Sequence, residues 1–139
     1  MKVKDPSILN AVTLAYVGDG AYEILIRKHL VESGIVRPNQ LQKTATQYVS
    51  AKAQAALITR MQDENVLTEQ ELAIFMRGRN AKSHTKAKNT STATYHLSTG
   101  FEAVFGFLSL SYQDSRVVEL TNWCIEKVES GANNEYRFR

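Results

Sequence analysis

The sequence predicts an all-α fold. Three observations carry that expectation. Apolar residues recur at helical spacing along nearly the whole chain, and no stretch alternates apolar and polar as a half-buried strand would. Only two prolines and seven glycines interrupt the 139 residues, too few for a turn-rich sandwich or barrel. At this length one domain, spanning 1–139, is the expected organisation. Hydrophobic residues at 43% against 22% charged are ordinary for a globular chain that builds its own core.

Asp5-Pro6 reads as a cap followed by proline at the first helical position, opening a helix that runs to about Leu30 and stops before Gly34. Pro38-Asn39 opens a second helix. It breaks near Ser50, which caps the next run from Ala51 to Met61. Thr68-Glu69-Gln70-Glu71 fits a capping box, and Gly78 fits the end of the helix that box begins. The segment from Arg79 to Ser91 is polar and lacks periodicity, so a long loop is expected there. Helical spacing returns from Tyr95 to Leu110. Asp114 caps a last amphipathic helix with Val117, Leu120, Cys124 and Val128 on one face, and Asn133 to Arg139 reads as a short polar tail.

Composition excludes several classes. A single cysteine, Cys124, permits neither a disulfide framework nor a four-cysteine zinc site. Met1-Lys2-Val3-Lys4-Asp5 leads into no apolar run ending in small residues, so no secretory signal is read. The uncharged stretch from Pro6 to Gly18 is too short to span a bilayer. A soluble, cytoplasmic protein is the expectation.

Net charge is +3, and it is unevenly placed. The segment from Arg77 to Asn89 holds Arg77, Arg79, Lys82, Lys86 and Lys88 and no acid. Without it the chain counts 12 basic against 14 acidic residues. Such a segment is either the footprint of a polyanion or a solvated loop, and composition leaves both readings open.

Two acids stand out. At about 100° per residue, Ile8, Val12, Ala15, Asp19, Ile26 and Leu30 share one face of the first helix, with Tyr22 and Glu23 beside them. Leu14, Val17, Ala21, Ile24 and Leu25 form a second apolar stripe. A helix apolar nearly all round is expected at the centre of a domain. Asp19 then falls on a buried face, where an unpaired charge is costly. Gly18 and Gly20 flank it, each costing a helix ~1 kcal/mol relative to alanine. Something must approach the backbone there, and Asp19 either holds a metal or catalytic role or pairs with a base from another helix.

In the later helix, Leu97, Phe101, Val104, Phe105 and Leu108 form the buried stripe and Glu102 lies at its edge, near Ser98, Thr99 and Gly106. Two carboxylates from separate helices suit a hard divalent cation such as Mg²⁺, which keeps several of its waters. His29, His84 and His96 lack metal-site spacing and read as surface residues. Cys124, Trp123, Tyr95 and Tyr112 read as packing residues.

Leu14-Ala15-Tyr16-Val17-Gly18-Asp19-Gly20 resembles the signature helix of the ribonuclease III family, and Phe101-Glu102-Ala103-Val104-Phe105-Gly106 resembles its second acidic helix. Tyr48-Val49-Ser50-Ala51-Lys52-Ala53-Gln54-Ala55 and Arg77-Gly78-Arg79-Asn80-Ala81-Lys82 extend the likeness, in particular to the bacterial subgroup that consists of the catalytic domain alone. The resemblance implies a Mg²⁺-dependent endonuclease that cuts double-stranded RNA to 5′-phosphate and 3′-hydroxyl ends, with Asp19 and Glu102 as metal-binding and catalytic carboxylates. Val12 and Ala15 stand where ordinary members carry Glu, and Thr99 where they carry Asp. That sparser set weakens a symmetric two-metal site and favours one well-held ion, with Glu23 as a structural acid rather than a ligand.

With no double-stranded-RNA-binding domain in the chain, RNA contact is expected from Arg77, Arg79, Lys82, Lys86 and Lys88, with Lys52 as a lesser candidate. The resemblance also implies a homodimer with Tyr16 entering a socket on the partner and a role in maturing large-subunit (23S) ribosomal RNA precursors; a ribosomal protein that presents the RNA is a further candidate partner, which the sequence leaves open. The alternative is a non-catalytic RNA-binding or ribosome-associated domain on the same scaffold, suggested by the three missing acids.

Overall fold

The computed structural model describes residues 2–82 and 89–139. His84, Lys86 and Lys88 lie outside them. The described residues form six α-helices and two short 3-10 turns, without a strand, as the periodicity predicts. None of these helices is long and apolar enough to cross a membrane.

The start of the chain departs from expectation. Asp5 accepts the Ser7 N–H and caps only a 3-10 turn, Pro6–Ile8. Asn10 then accepts the Val12 N–H at 2.8 Å and opens α1, Ala11–Glu32. Two caps in succession divide what the sequence suggests is one helix. Helix α2 spans Pro38–Val49 and α3 spans Ala51–Asp63, with Ser50 ending one and capping the other. In α4, Glu69–Asn80, both bonds of the Thr68–Glu71 capping box are made. Helix α5 is Thr92–Leu110, begun by Ser91 rather than at Tyr95. Helix α6 is Asp114–Glu129, with Asp114 inside its first turn and Gln113 at the cap.

The central helix is α5, not α1. It packs against α1, α3, α4 and α6 and is buried on nearly every side. Small residues make this possible. A Cβ on Gly78 would stand 2.8 Å from the Gly100 Cα, and one on Gly106 would stand 1.7 Å from the Leu14 carbonyl oxygen. Gly78 is therefore a contact between α4 and α5 rather than a helix stop, and α4 continues two residues past it. Helix α1 buries one stripe, from Ala11 through Leu14, Ala15, Gly18, Tyr22 and Ile26 to Leu30. Outside that stripe Val12 and Tyr16 of α1 stay exposed, Tyr16 at 83%, as does Ile8 of the preceding 3-10 turn at 78%.

Long-range polar contacts complete the frame. Glu71 is buried and takes Arg116 on both carboxylate oxygens, at 2.9 and 2.8 Å, while the same guanidinium reaches the Val66 carbonyl. The C-terminal residues are not a free tail. Ala132–Glu135 forms a 3-10 turn in which Asn133 is buried. Arg60 donates to the Ala132 carbonyl, Tyr136 to Asp63, and the Ser91 N–H to the Arg139 carbonyl.

Candidate active site

The crossing of α1 and α5 builds the site. A Cβ on Gly18 would lie 1.7 Å from the carbonyl oxygen of Glu102, so the two backbones meet there without side chains between them. The residue after Gly18 is Asp19. The same contact thus sets Asp19 and Glu102 side by side, one from each helix. The close approach that the flanking glycines foretold is real at Gly18. Gly20 has nothing within 4 Å of its would-be Cβ.

Both carboxylates line a shallow pocket of about 180 Å³, with Val12, Ala15 and Tyr16 from α1 and Tyr95 and Thr99 from α5. Asp19 is exposed at its rim, contrary to the buried face expected for it, because the stripe centred on Gly18 is the one that packs. Glu102 is the desolvated member. Its burial, reinforced by the neighbouring Asp19 carboxylate, pushes its carboxyl up to about 8, against the opposing pull of Gln54 and with a smaller upward push from Glu23.

The donor set fits a hard divalent ion. It is led by the oxygens of two neighbouring carboxylates, and no ion pair to a Lys, Arg or His is formed by either acid among the described residues. No group of three or more His, Cys, Asp or Glu arranged to hold a metal occurs among the described residues. Two carboxylates with water completing the shell suit Mg²⁺. The positions where ordinary family members carry further acids, Val12, Ala15 and Thr99, all face this pocket, so the departures fall on the site itself. Glu23 is engaged by Arg27 at 2.9 Å.

The basic residues divide. The Arg77 guanidinium donates to the Ser7 and Leu9 carbonyls, which ties α4 to the segment before α1. Arg79 lies over the Phe75 ring and donates to the Asn80 side chain. Arg79 is on α4 with Arg77, rather than in the loop expected from Arg79 onward. Lys82 and Lys52 are exposed. His29 is not a free surface residue: its Nε2 lies 2.6 Å from Glu129, which also accepts the Tyr48 hydroxyl. Cys124 is buried, as expected of a packing residue.

Two residues at the site carry more than the sequence suggested. Tyr95 lines the pocket rather than the core. Gln54, 2% exposed, donates its Nε2 to Oε2 of Glu102 at 3.4 Å. The available signal was a polar side chain within an alanine-rich stretch, at helical spacing from Ile58 and Met61.

Known proteins share this architecture. Residues 12–113 match the family model described as the ribonuclease III domain. A mini-ribonuclease 3 of Enterococcus faecalis is 53% identical over 133 residues, covering 96% of this chain and 99% of its own. A mini-ribonuclease 3 of Streptococcus pneumoniae is 52% identical over 125 residues, covering 90% and 98% respectively. A crystal structure of a Fusobacterium nucleatum protein superposes with a TM-score of 0.74 at 25% identity, covering 86% of this chain and 93% of that one.

Proposed function

The chain belongs to the ribonuclease III family, and on that premise we propose how it acts: it is an endoribonuclease specific for double-stranded RNA whose Asp19 and Glu102 hold a Mg²⁺ ion. The observation that carries the reading is the crossing at Gly18 and Gly106, which brings carboxylates from two helices into one pocket with no ion pair to a protein cation among the described residues. A pure binding domain has no use for that costly pairing. Residues 1–139 are read as one catalytic domain.

When bound, the ion supplies an activated water and neutralises charge developing on the scissile phosphate. The chain's own residues prepare for it. Glu102 and, from the rim, Asp19 would hold the ion, and Val12 and Ala15 line the pocket beside them with apolar surface. Incubation with a long RNA duplex and Mg²⁺ tests the reading. The expected products are shorter duplexes with 5′-phosphate and 3′-hydroxyl ends, and single strands stay intact. Binding without cleavage would make the protein the non-catalytic alternative.

We assign the second strand's cut to a second copy of the chain. Two active sites across a twofold axis suit the near-twofold symmetry of a duplex. The uncovered stripe of Ile8, Val12 and Tyr16 on and before α1 supports such an interface beside the pocket. Tyr16→Ala is expected to weaken the dimer at least tenfold, since a large aromatic anchor contributes on the order of 2 kcal/mol or more. Sedimentation across a concentration series reads the shift, and an unchanged dimer would remove Tyr16 from the interface.

RNA affinity is assigned to the basic residues from Arg77 to Lys88, with a reduced share for Arg77 because two backbone carbonyls already engage it. Replacing Lys82, Lys86 and Lys88 by alanine is expected to weaken all duplexes alike and to flatten the log–log salt dependence by roughly one for each phosphate no longer neutralised. An unaltered slope in a binding series would show that these side chains do not touch phosphate. We propose 23S ribosomal RNA precursors in the cytoplasm as the substrate, a reading that fits the likeness to mini-ribonuclease 3 proteins over nearly the whole chain.

A further inference from the structure

We propose that Gln54 is a positioning residue for Glu102, its buried amide fixing one carboxylate oxygen so that the other is presented to the pocket. The inference rests on the proposed metal-binding role of Glu102 and adds a member from a third helix, α3, to a site otherwise built from α1 and α5.

Gln54 sits in the face by which α3 packs into the core, among buried Ala53, Leu57, Ile58 and Met61. An apolar side chain there would need no polar partner. A primary amide there must find a partner or lose on the order of 1–3 kcal/mol in desolvation. Among the described residues its one side-chain hydrogen bond is the donation from Nε2 to Oε2 of Glu102, 3.4 Å long.

The chemistry of the donor matters. Glu102 stands beside the Asp19 carboxylate, and a partner that fixes one of its oxygens settles where the other points. A lysine or arginine beside it would fix it but would also cancel the charge that attracts a cation. An amide N–H fixes Oε2 and leaves the negative charge of the pair intact. Because Val12, Ala15 and Thr99 provide no further acids in the pocket, the orientation of each remaining carboxylate carries more of the binding. Partners that orient metal-binding carboxylates typically change metal affinity by 10–100-fold.

The test measures Mn²⁺ binding to the RNA-free protein by calorimetry for wild type, Gln54→Leu, Gln54→Met and Glu102→Gln. Both Gln54 variants are expected to bind Mn²⁺ about 10–100-fold more weakly. Their single-turnover cleavage should recover towards wild type as Mn²⁺ is raised, with RNA affinity in metal-free buffer unchanged. The methionine variant keeps the length of the side chain, so it remains informative should the leucine variant fold poorly. If a Gln54 variant melts earlier but binds Mn²⁺ within twofold of wild type, its role is packing and the inference is overturned. Loss of binding in Glu102→Gln would then leave the proposed function standing. Wild-type affinity in Glu102→Gln would overturn the metal site, and the role of Gln54 with it.

Discussion

Gly106→Ala is expected to destabilise the fold severely. The added methyl would stand 1.7 Å from the Leu14 carbonyl oxygen and 3.0 Å from the Gly18 nitrogen, all of it backbone that no rotamer change can move. Gly18→Ala meets the reciprocal obstacle, 1.7 Å from the Glu102 carbonyl oxygen. Relief requires α1 and α5 to separate along their main contact. Overpacking of this kind costs about 3 kcal/mol or more, against a total stability of roughly 5–15 kcal/mol for a domain. Gly20→Ala provides the contrast, since nothing lies within 4 Å and the position is helical. It is expected to stabilise by up to ~1 kcal/mol. Thermal denaturation should therefore show opposite signs at Gly18 and Gly20, two residues apart on one helix. A Gly106→Ala protein as stable as wild type would contradict the packing described.

Glu102→Gln should lose cleavage by on the order of a thousandfold or more, as expected when an ion loses one of two charged ligands, while the metal-free protein gains stability in alkaline buffer. Burial and the neighbouring Asp19 raise the folded Glu102 carboxyl from 4.5 to about 8. Between those values the folded protein keeps a proton that the unfolded chain has released, so wild-type stability falls as pH rises through that window. Glutamine has no proton to lose and retains an oxygen to accept from Gln54. The gain in melting temperature should be negligible near pH 4, grow through neutrality and level off above pH 8. Saturating Mg²⁺ should restore the wild type and not the variant. Equal melting temperatures across the pH series would show that Glu102 is not held in a desolvated, repulsive setting.

Much of the fold could be read from local chemistry. Ser50 as a shared boundary and the Thr68–Glu71 capping box depend on residues three apart, and both form as expected. The choice of central helix was not legible, because α1 and α5 are both apolar on more than one side. What separates them is Gly100, Ala103 and Gly106 in α5, which let neighbours approach from opposite directions. Gly78 shows the same ambiguity, since a glycine that ends a helix and one that lets a helix pack closely look alike in sequence.

At the site, the pairing of an acid with glycine pointed to Asp19 and Glu102, which the fold brings into one pocket. Gln54 was hidden because its partner lies 48 residues away, and the Glu71–Arg116 pair because 45 residues separate its members. Charge counting likewise could not foresee that two carbonyls before α1 would engage Arg77.

Single-turnover cleavage of a long RNA duplex by Asp19→Asn, with RNA binding measured in parallel, tests most directly whether the paired carboxylates hold the metal. The substitution keeps the shape of an exposed side chain at the rim and removes only its charge. Duplex binding is expected to stay within a fewfold of wild type while cleavage at low Mg²⁺ falls below detection. Cleavage by Asp19→Asn at the wild-type rate, at the same low Mg²⁺, would take Asp19 out of the metal site and leave the pocket without its proposed chemistry.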